Sequence, residues 1–237
     1  MDNPNMTIFA SLPIPRVVPP LQHGDRLSRD EFERRYDRMH GVKKAELIEG
    51  VVHMPSPVRF ESHGSPHADL VWWLNHYRVF TRGLKVADNS TVRLDLGNEP
   101  QPDVLLCIMP SHGGQAGVSH DDYLEGGPEL VAEISASTEA IDLNQKFESY
   151  RRNDVREYIV WRVLEEAIDW FVLRNGQYER LEAVDGVLRS PLFSGLWLDV
   201  AAMVGGDLVA VLETLQSGLS SVEHVEFVRK LSADGRS

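Results

Sequence analysis

The chain has 237 residues, 42% hydrophobic and 25% charged, with a formal net charge of −12 and a single cysteine. That composition suits one globular domain with appendages and excludes a disulfide framework or a cysteine-built zinc site. It also removes any chain-wide electrostatic pull toward nucleic-acid phosphates, so DNA binding would need a local basic face. No apolar run approaches the ~20 residues of a bilayer span. The N-terminal MTIFASLPIPRVVPPL is broken by prolines and lacks the basic start of a secretory signal, so no membrane partner and a cytoplasmic location are expected.

Residues 1–24 read as a proline-rich arm, 25–200 as the main domain and 201–237 as a helical extension. In SRDEFERRYDRMHG, Ser28 and Glu31 have capping-box spacing, which predicts a helix over about 29–39 ended by Gly41. AELIEGVVHMPSP predicts a strand or hairpin stopped by Pro55 and Pro57. Within it Glu46 and Glu49 flank Leu47 and Ile48, so one of the two can face inward. GSPHADLVWWLNHYRVFTRG predicts a helix capped by Ser65 and begun by Pro66, with Leu70, Trp73, Leu74 and Tyr77 on one side. KVADNSTVRLDL reads as a strand, and a second strand follows over 104–109. A glycine-rich polar loop over 110–128 leads to the strand ELVAEIS; loops of this length are commonly functional or mobile. STEAIDLNQKFESYRRND then predicts a helix and VREYIVWRV a strand, together a crossover unit covering one face of a sheet. Asn175-Gly176 signals a hairpin, and the remainder reads as helix with a break at Gly205-Gly206.

Two acids interrupt apolar strands: Asp103 just before Val104, and Glu133 between Ala132 and Ile134. A buried carboxylate needs a partner, a proton or a cation. Neighbouring strands lie about 4.8 Å apart, so these two acids and the Ile134 carbonyl could hold a hard divalent ion, Mg2+ or Mn2+. Such an ion would activate water for hydrolysis of a phosphate ester. Lys146 shares a helix face with Asp142 and Tyr150 and is the candidate cation for transition-state charge. The competing reading of the same spacing is a surface Asp142–Lys146 pair with Tyr150 in the core. His63 and His67 are separated by Gly64, Ser65 and Pro66, which places His63 outside the helix and makes a poor zinc site, though His67 can face the site from the helix start. Cys107 and the five tryptophans read as core or interface. The basic groups around Arg34, Arg35, Arg38, Lys43 and Lys44, and around Arg151, Arg152 and Arg156, read as solvated helix faces.

AELIEG, QPDV, ELVAEISAST and DLNQKFESYRRNDVREYIVW, in this order and spacing, resemble the Uma family of proposed restriction endonucleases, within the PD-(D/E)XK nuclease superfamily. The likeness spans residues 28–200. It implies a restriction-endonuclease-like fold, a mixed α/β sheet flanked by helices, with Asp103 and Glu133 as metal ligands and Glu46 as an additional acid of the site. Ser135 stands where the superfamily pattern has lysine, and the resemblance implies that Lys146 on the following helix replaces it. Ala136 stands where the family commonly has proline, which alters the turn. The reading that follows is a Mg2+-dependent endonuclease acting on DNA, expected as a homodimer. The alternatives are a non-catalytic binding or assembly protein retaining the fold, which the acidic charge favours, and hydrolysis of another phosphate ester.

Overall fold

The computed structural model describes residues 18–42, 44–54, 57–135 and 142–235. Helix α1 (Arg29–Tyr36) precedes the hairpin of β1 (Glu46–Ile48) and β2 (Val51–His53). A π-helical turn over Phe60–Gly64 runs directly into α2 (Ser65–Phe80). Next come β3 (Leu84–Asp88), β4 (Val92–Arg93), β5 (Val104–Ile108), β6 (Gly117–Val118), β7 (Leu124–Glu125) and β8 (Leu130–Ser135). A second π-helical turn, Asp142–Lys146, opens α3 (Phe147–Arg152), which returns the chain to β9 (Glu157–Arg162). The chain continues through β10 (Ala167–Arg174), β11 (Gln177–Arg180), β12 (Val187–Arg189), β13 (Trp197–Asp199), α4 (Val200–Gly205), α5 (Leu208–Leu219) and α6 (Val222–Asp234).

The central sheet has six strands in the order β11-β10-β9-β8-β5-β3. Only the β8–β9 pair in it is parallel, as expected for two strands joined through α3; the other neighbours are antiparallel. Alternation along the strands sorts the side chains into two layers. Val104, Leu106, Leu130 and Ala132 pack toward Trp73 and Leu74 of α2, and the same cluster takes in Val211, Leu215 and Leu231 of α5 and α6. Leu105, Cys107, Val131 and Val160 face the opposite way, against Tyr150 of α3 and Tyr158. A third, smaller core gathers Leu21, Phe32, Ala45, Leu47 and Val52 around α1 and the β1–β2 hairpin.

The Asn175-Gly176 turn is formed as expected, with both residues at positive φ between the antiparallel β10 and β11. Gly206 (φ 75°) ends α4, the predicted break. Cys107 is buried, and burial pushes its thiol pKa up to about 11. Trp73, Trp161 and Trp170 are core residues, while Trp72 and Trp197 are half-buried.

Other local expectations are corrected. Ser28 precedes α1 without a side-chain cap bond, and the Glu31 carboxylate, held by Arg34 and Arg35 at 2.6–2.7 Å, does not reach back; the helix ends at Tyr36. Ser65 lies inside α2, whose start continues the π-helical turn. The expected strand over 85–96 divides at Asn89 (φ 46°), and its second part, β4, pairs in parallel with β7. With β6 these strands form a small sheet, so the polar loop is partly ordered by pairing. The arm up to residue 17, Lys43, Pro55, Ala136, Thr138 and the Asp142 side chain lie outside the described residues.

Candidate active site

Two strand ends bring the acids together. In the antiparallel β5–β8 ladder Val104 faces Ala132; continuing that register by one residue sets Asp103 opposite Glu133, on the layer that faces α3. Directly opposed residues have Cβ atoms about 5 Å apart. Instead of extending the backbone ladder, Asp103 uses its side chain: Oδ2 accepts the Ile134 amide at 2.8 Å. Its own carbonyl accepts from the Asn89 amide at 3.2 Å and lies 2.9 Å from His67 Nε2. Pro102 before it donates no amide hydrogen, in keeping with a strand that starts here.

Lys146 closes the site from the other layer. As the last residue of the π-helical turn, it sets its ammonium 2.9 Å from Glu133 Oε1 and 3.0 Å from Glu46 Oε1. Tyr150, four residues on and therefore on the same helical face, donates its hydroxyl to the same Glu133 oxygen at 2.8 Å. Glu46 comes from β1, and the Gln101 amide donates to it at 2.7 Å, tying that hairpin to the approach of β5. Glu46, Asp103, Glu133 and Lys146 are 6%, 3%, 2% and 4% exposed, so all four charges are buried. Glu49, by contrast, turns outward to pair with Arg152, as the alternation between Glu46 and Glu49 allows.

The electrostatics follow from this packing. Burial works to raise the Asp103 pKa, yet the His63 hydrogen bond, the Lys44 charge and the Ile134 amide hold the carboxyl well below the usual carboxylate range. Burial, then the Glu133 charge, push the Tyr150 phenol well above its ordinary value, which keeps it a hydrogen-bond donor. Among the described residues no three His, Cys, Asp or Glu side chains are gathered as a metal cage. Asp103 and Glu133 provide hard anionic oxygens, which with a backbone carbonyl suit a small divalent ion that retains waters. A cavity of about 780 Å³ lies elsewhere, bounded by Ile168, Leu188, Val200 and Val204, and contains none of these residues.

Over residues 29–201, most of the chain, the sequence matches the Uma2 family, described as "Putative restriction endonuclease". The chain belongs to the Uma2 family. It is also similar in fold to a crystal structure from Anabaena variabilis titled as a "putative nuclease belonging to DUF820", with a TM-score of 0.58 and 14% identity over 75% of this chain and 99% of that one. No curated protein sequence matches. The mixed sheet flanked by helices is thus a nuclease-like fold.

In this Uma2 chain Asp103, Glu133, Lys146 and Glu46, separated in sequence, meet at one place, and Ile134 reaches it through its amide. The alternative of a solvated surface Lys146 does not hold, since the side chain is buried between two carboxylates. Three contacts were missed. The four-residue spacing puts Tyr150 on the Lys146 face of the helix but gives it no role there, and its hydrogen bond to Glu133 comes only from the structure. His63 lies outside α2, as expected, in the π-helical turn that precedes it, but with its Nε2 3.3 Å from Asp103 Oδ2. Lys44, grouped with solvated cations, stands 3.6 Å from Asp103 Oδ1. Nothing local in the sequence marks either of these two.

Proposed function

We propose that this protein is a divalent-metal-dependent nuclease that hydrolyses DNA phosphodiester bonds. The observation that carries the reading is the placement of Lys146 Nζ within 3.0 Å of both Glu133 and Glu46, one strand away from an Asp103 held anionic. Buried carboxylates and a buried ammonium in this arrangement are costly to assemble for stability alone. Asp103, Glu133 and the Ile134 carbonyl are the groups that would hold Mg2+ or Mn2+. When bound, the ion supplies a water of lowered pKa and polarises a phosphoryl oxygen.

The chain's own residues carry the remaining tasks. Lys146 presents a fixed positive charge where negative charge grows on the phosphoryl oxygens, and it can orient the attacking water by hydrogen bonding. Glu46 balances that ammonium and, through the Gln101 amide, fixes its approach. Tyr150 holds one oxygen of Glu133, leaving the carboxylate in a single orientation. Water oxygen forms the new bond to phosphorus as the bond to the sugar oxygen breaks. Two chains cutting two strands would make the working unit a homodimer.

The reading is tested by incubating the full chain with mixed single-stranded and duplex DNA in Mg2+, in Mn2+ and in EDTA. Metal-dependent cleavage is expected, lost in the Asp103→Ala, Glu133→Ala double variant. Cleavage equal in EDTA or in the double variant would remove the metal mechanism, and no cleavage of any substrate would favour a binding protein on the same fold.

A further inference from the structure

Lys44 and His63 have no part in the steps above, yet both touch Asp103. Among the described residues the partners of that carboxylate are all donors. Oδ1 lies 3.6 Å from Lys44 Nζ, while Oδ2 accepts the Ile134 amide and lies 3.3 Å from His63 Nε2. The Ile134 amide is fixed in β8, but the two side chains arrive from outside the central sheet, from the segment before β1 and from the turn before α2. They keep side-chain exposures of 25% and 18%, against 4% for Asp103, so they form its solvent-facing cover. Lys44 also has a second partner within reach, Asn89 Oδ1 at 3.2 Å. A metal ion approaching Asp103 therefore competes with two N–H donors, one of them an ammonium, for the same oxygens.

We infer that Lys44 and His63 couple metal binding to phosphodiester binding: resting on Asp103 in the free protein, they turn to the non-bridging oxygens of an arriving phosphodiester and release Asp103 to the ion. Ammonium and imidazole N–H groups are ordinary donors to phosphate oxygens. The anion also offsets the repulsion between the displaced ammonium and the metal. Coupling of this kind is reciprocal, so metal must tighten nucleic-acid binding by the same factor by which nucleic acid tightens metal binding. The inference rests on the nuclease reading, but its test is binding rather than cleavage.

Calorimetric titration of Ca2+, a hard ion with the same preference for oxygen ligands, into the full chain with and without saturating oligothymidylate measures the coupling. The wild type is expected to bind Ca2+ about tenfold more tightly with the oligonucleotide present. The Lys44→Met, His63→Leu double variant is expected to bind Ca2+ alone more tightly than the wild type and to lose the coupling. Wild-type affinity and wild-type coupling in a folded double variant would overturn the inference while leaving the nuclease reading intact. Ca2+ binding that is absent, or indifferent to Asp103→Asn, would also overturn the inference, while the nuclease reading stands or falls with cleavage in Mg2+ or Mn2+. If the double variant does not fold, Lys44→Gln and His63→Gln are titrated singly; each should lose part of the coupling, and full coupling in both overturns the inference.

Discussion

Lys146 is the residue on which site and stability meet. Its ammonium stands between two buried carboxylates, so Lys146→Ala would leave Glu133 and Glu46 without their shared counter-charge. Breaking a buried pair of this kind costs about 3–5 kcal/mol, far more than removing a solvated lysine. Urea unfolding should therefore show Lys146→Ala strongly destabilised as well as inactive; a loss well under 1 kcal/mol would mean the ammonium is not buried as described. Ser135 offers the sharper arm. It lies two residues beyond Glu133 on the same strand, hence on the same layer, and it is buried. Ser135→Lys in the Lys146→Ala background should recover part of both stability and cleavage if the two positions share one spatial role. Recovery of stability without cleavage would reduce Lys146 to a structural cation. The acids themselves were legible because a carboxylate inside an apolar strand is a physical anomaly visible in one dimension. Lys44 and His63 were not, since their meeting with Asp103 depends on the third dimension alone.

At the scale of elements, the strand-helix-strand order around α3 was readable from alternating and helical periodicities, and it is the crossover that carries Lys146 over Glu133. The ends of elements were less so. The capping box at Ser28 is not formed, and both π-helical turns were invisible to a 3.6-residue template. Glu157, at the start of β9, shows how an element end is pinned in the opposite layer. Its carboxylate accepts from Ser190 Oγ at 2.7 Å, the Leu192 amide at 3.0 Å and Trp170 Nε1 at 3.0 Å, tying β9 to the segment after β12. Burial raises its pKa from 4.5 to about 7, against hydrogen bonds from Ser190, Leu192 and Trp170 that lower it. The folded chain thus keeps a proton that the unfolded chain releases near pH 4.5. The associated stability is complete below that pH, declines as pH rises and is gone above about pH 7, a fall of about 3 kcal/mol. Glu157→Gln keeps acceptor oxygen without titrating, so the difference in unfolding free energy between wild type and variant should shrink by that amount across the window. Parallel stability curves would show that Glu157 does not carry the proton.

The whole molecule sets charge against apolar surface. Each chain carries −12, so two chains repel at long range, yet large apolar side chains stand exposed on several helices: Val79 and Phe80 at the end of α2, Val209 on α5, Val222 and Val225 on α6. Lone exposed aliphatics are ordinary, but a proposed dimer needs about 800 Å² from each partner, and these helices offer apolar material for it. Repulsion between like-charged chains is screened as the Debye length falls from about 10 Å at 0.1 M salt to about 3 Å at 1 M, whereas apolar burial is not weakened by salt. A dimer built on these helices should therefore strengthen as sodium chloride is raised, the reverse of DNA binding, which loses counterion-release energy. Light scattering at micromolar concentration across a salt series should show the dimer fraction rising, and Val222→Glu with Val225→Glu should return it to monomer. A monomer at every salt concentration would leave each site to act alone, and duplex cleavage would then proceed by separate nicks.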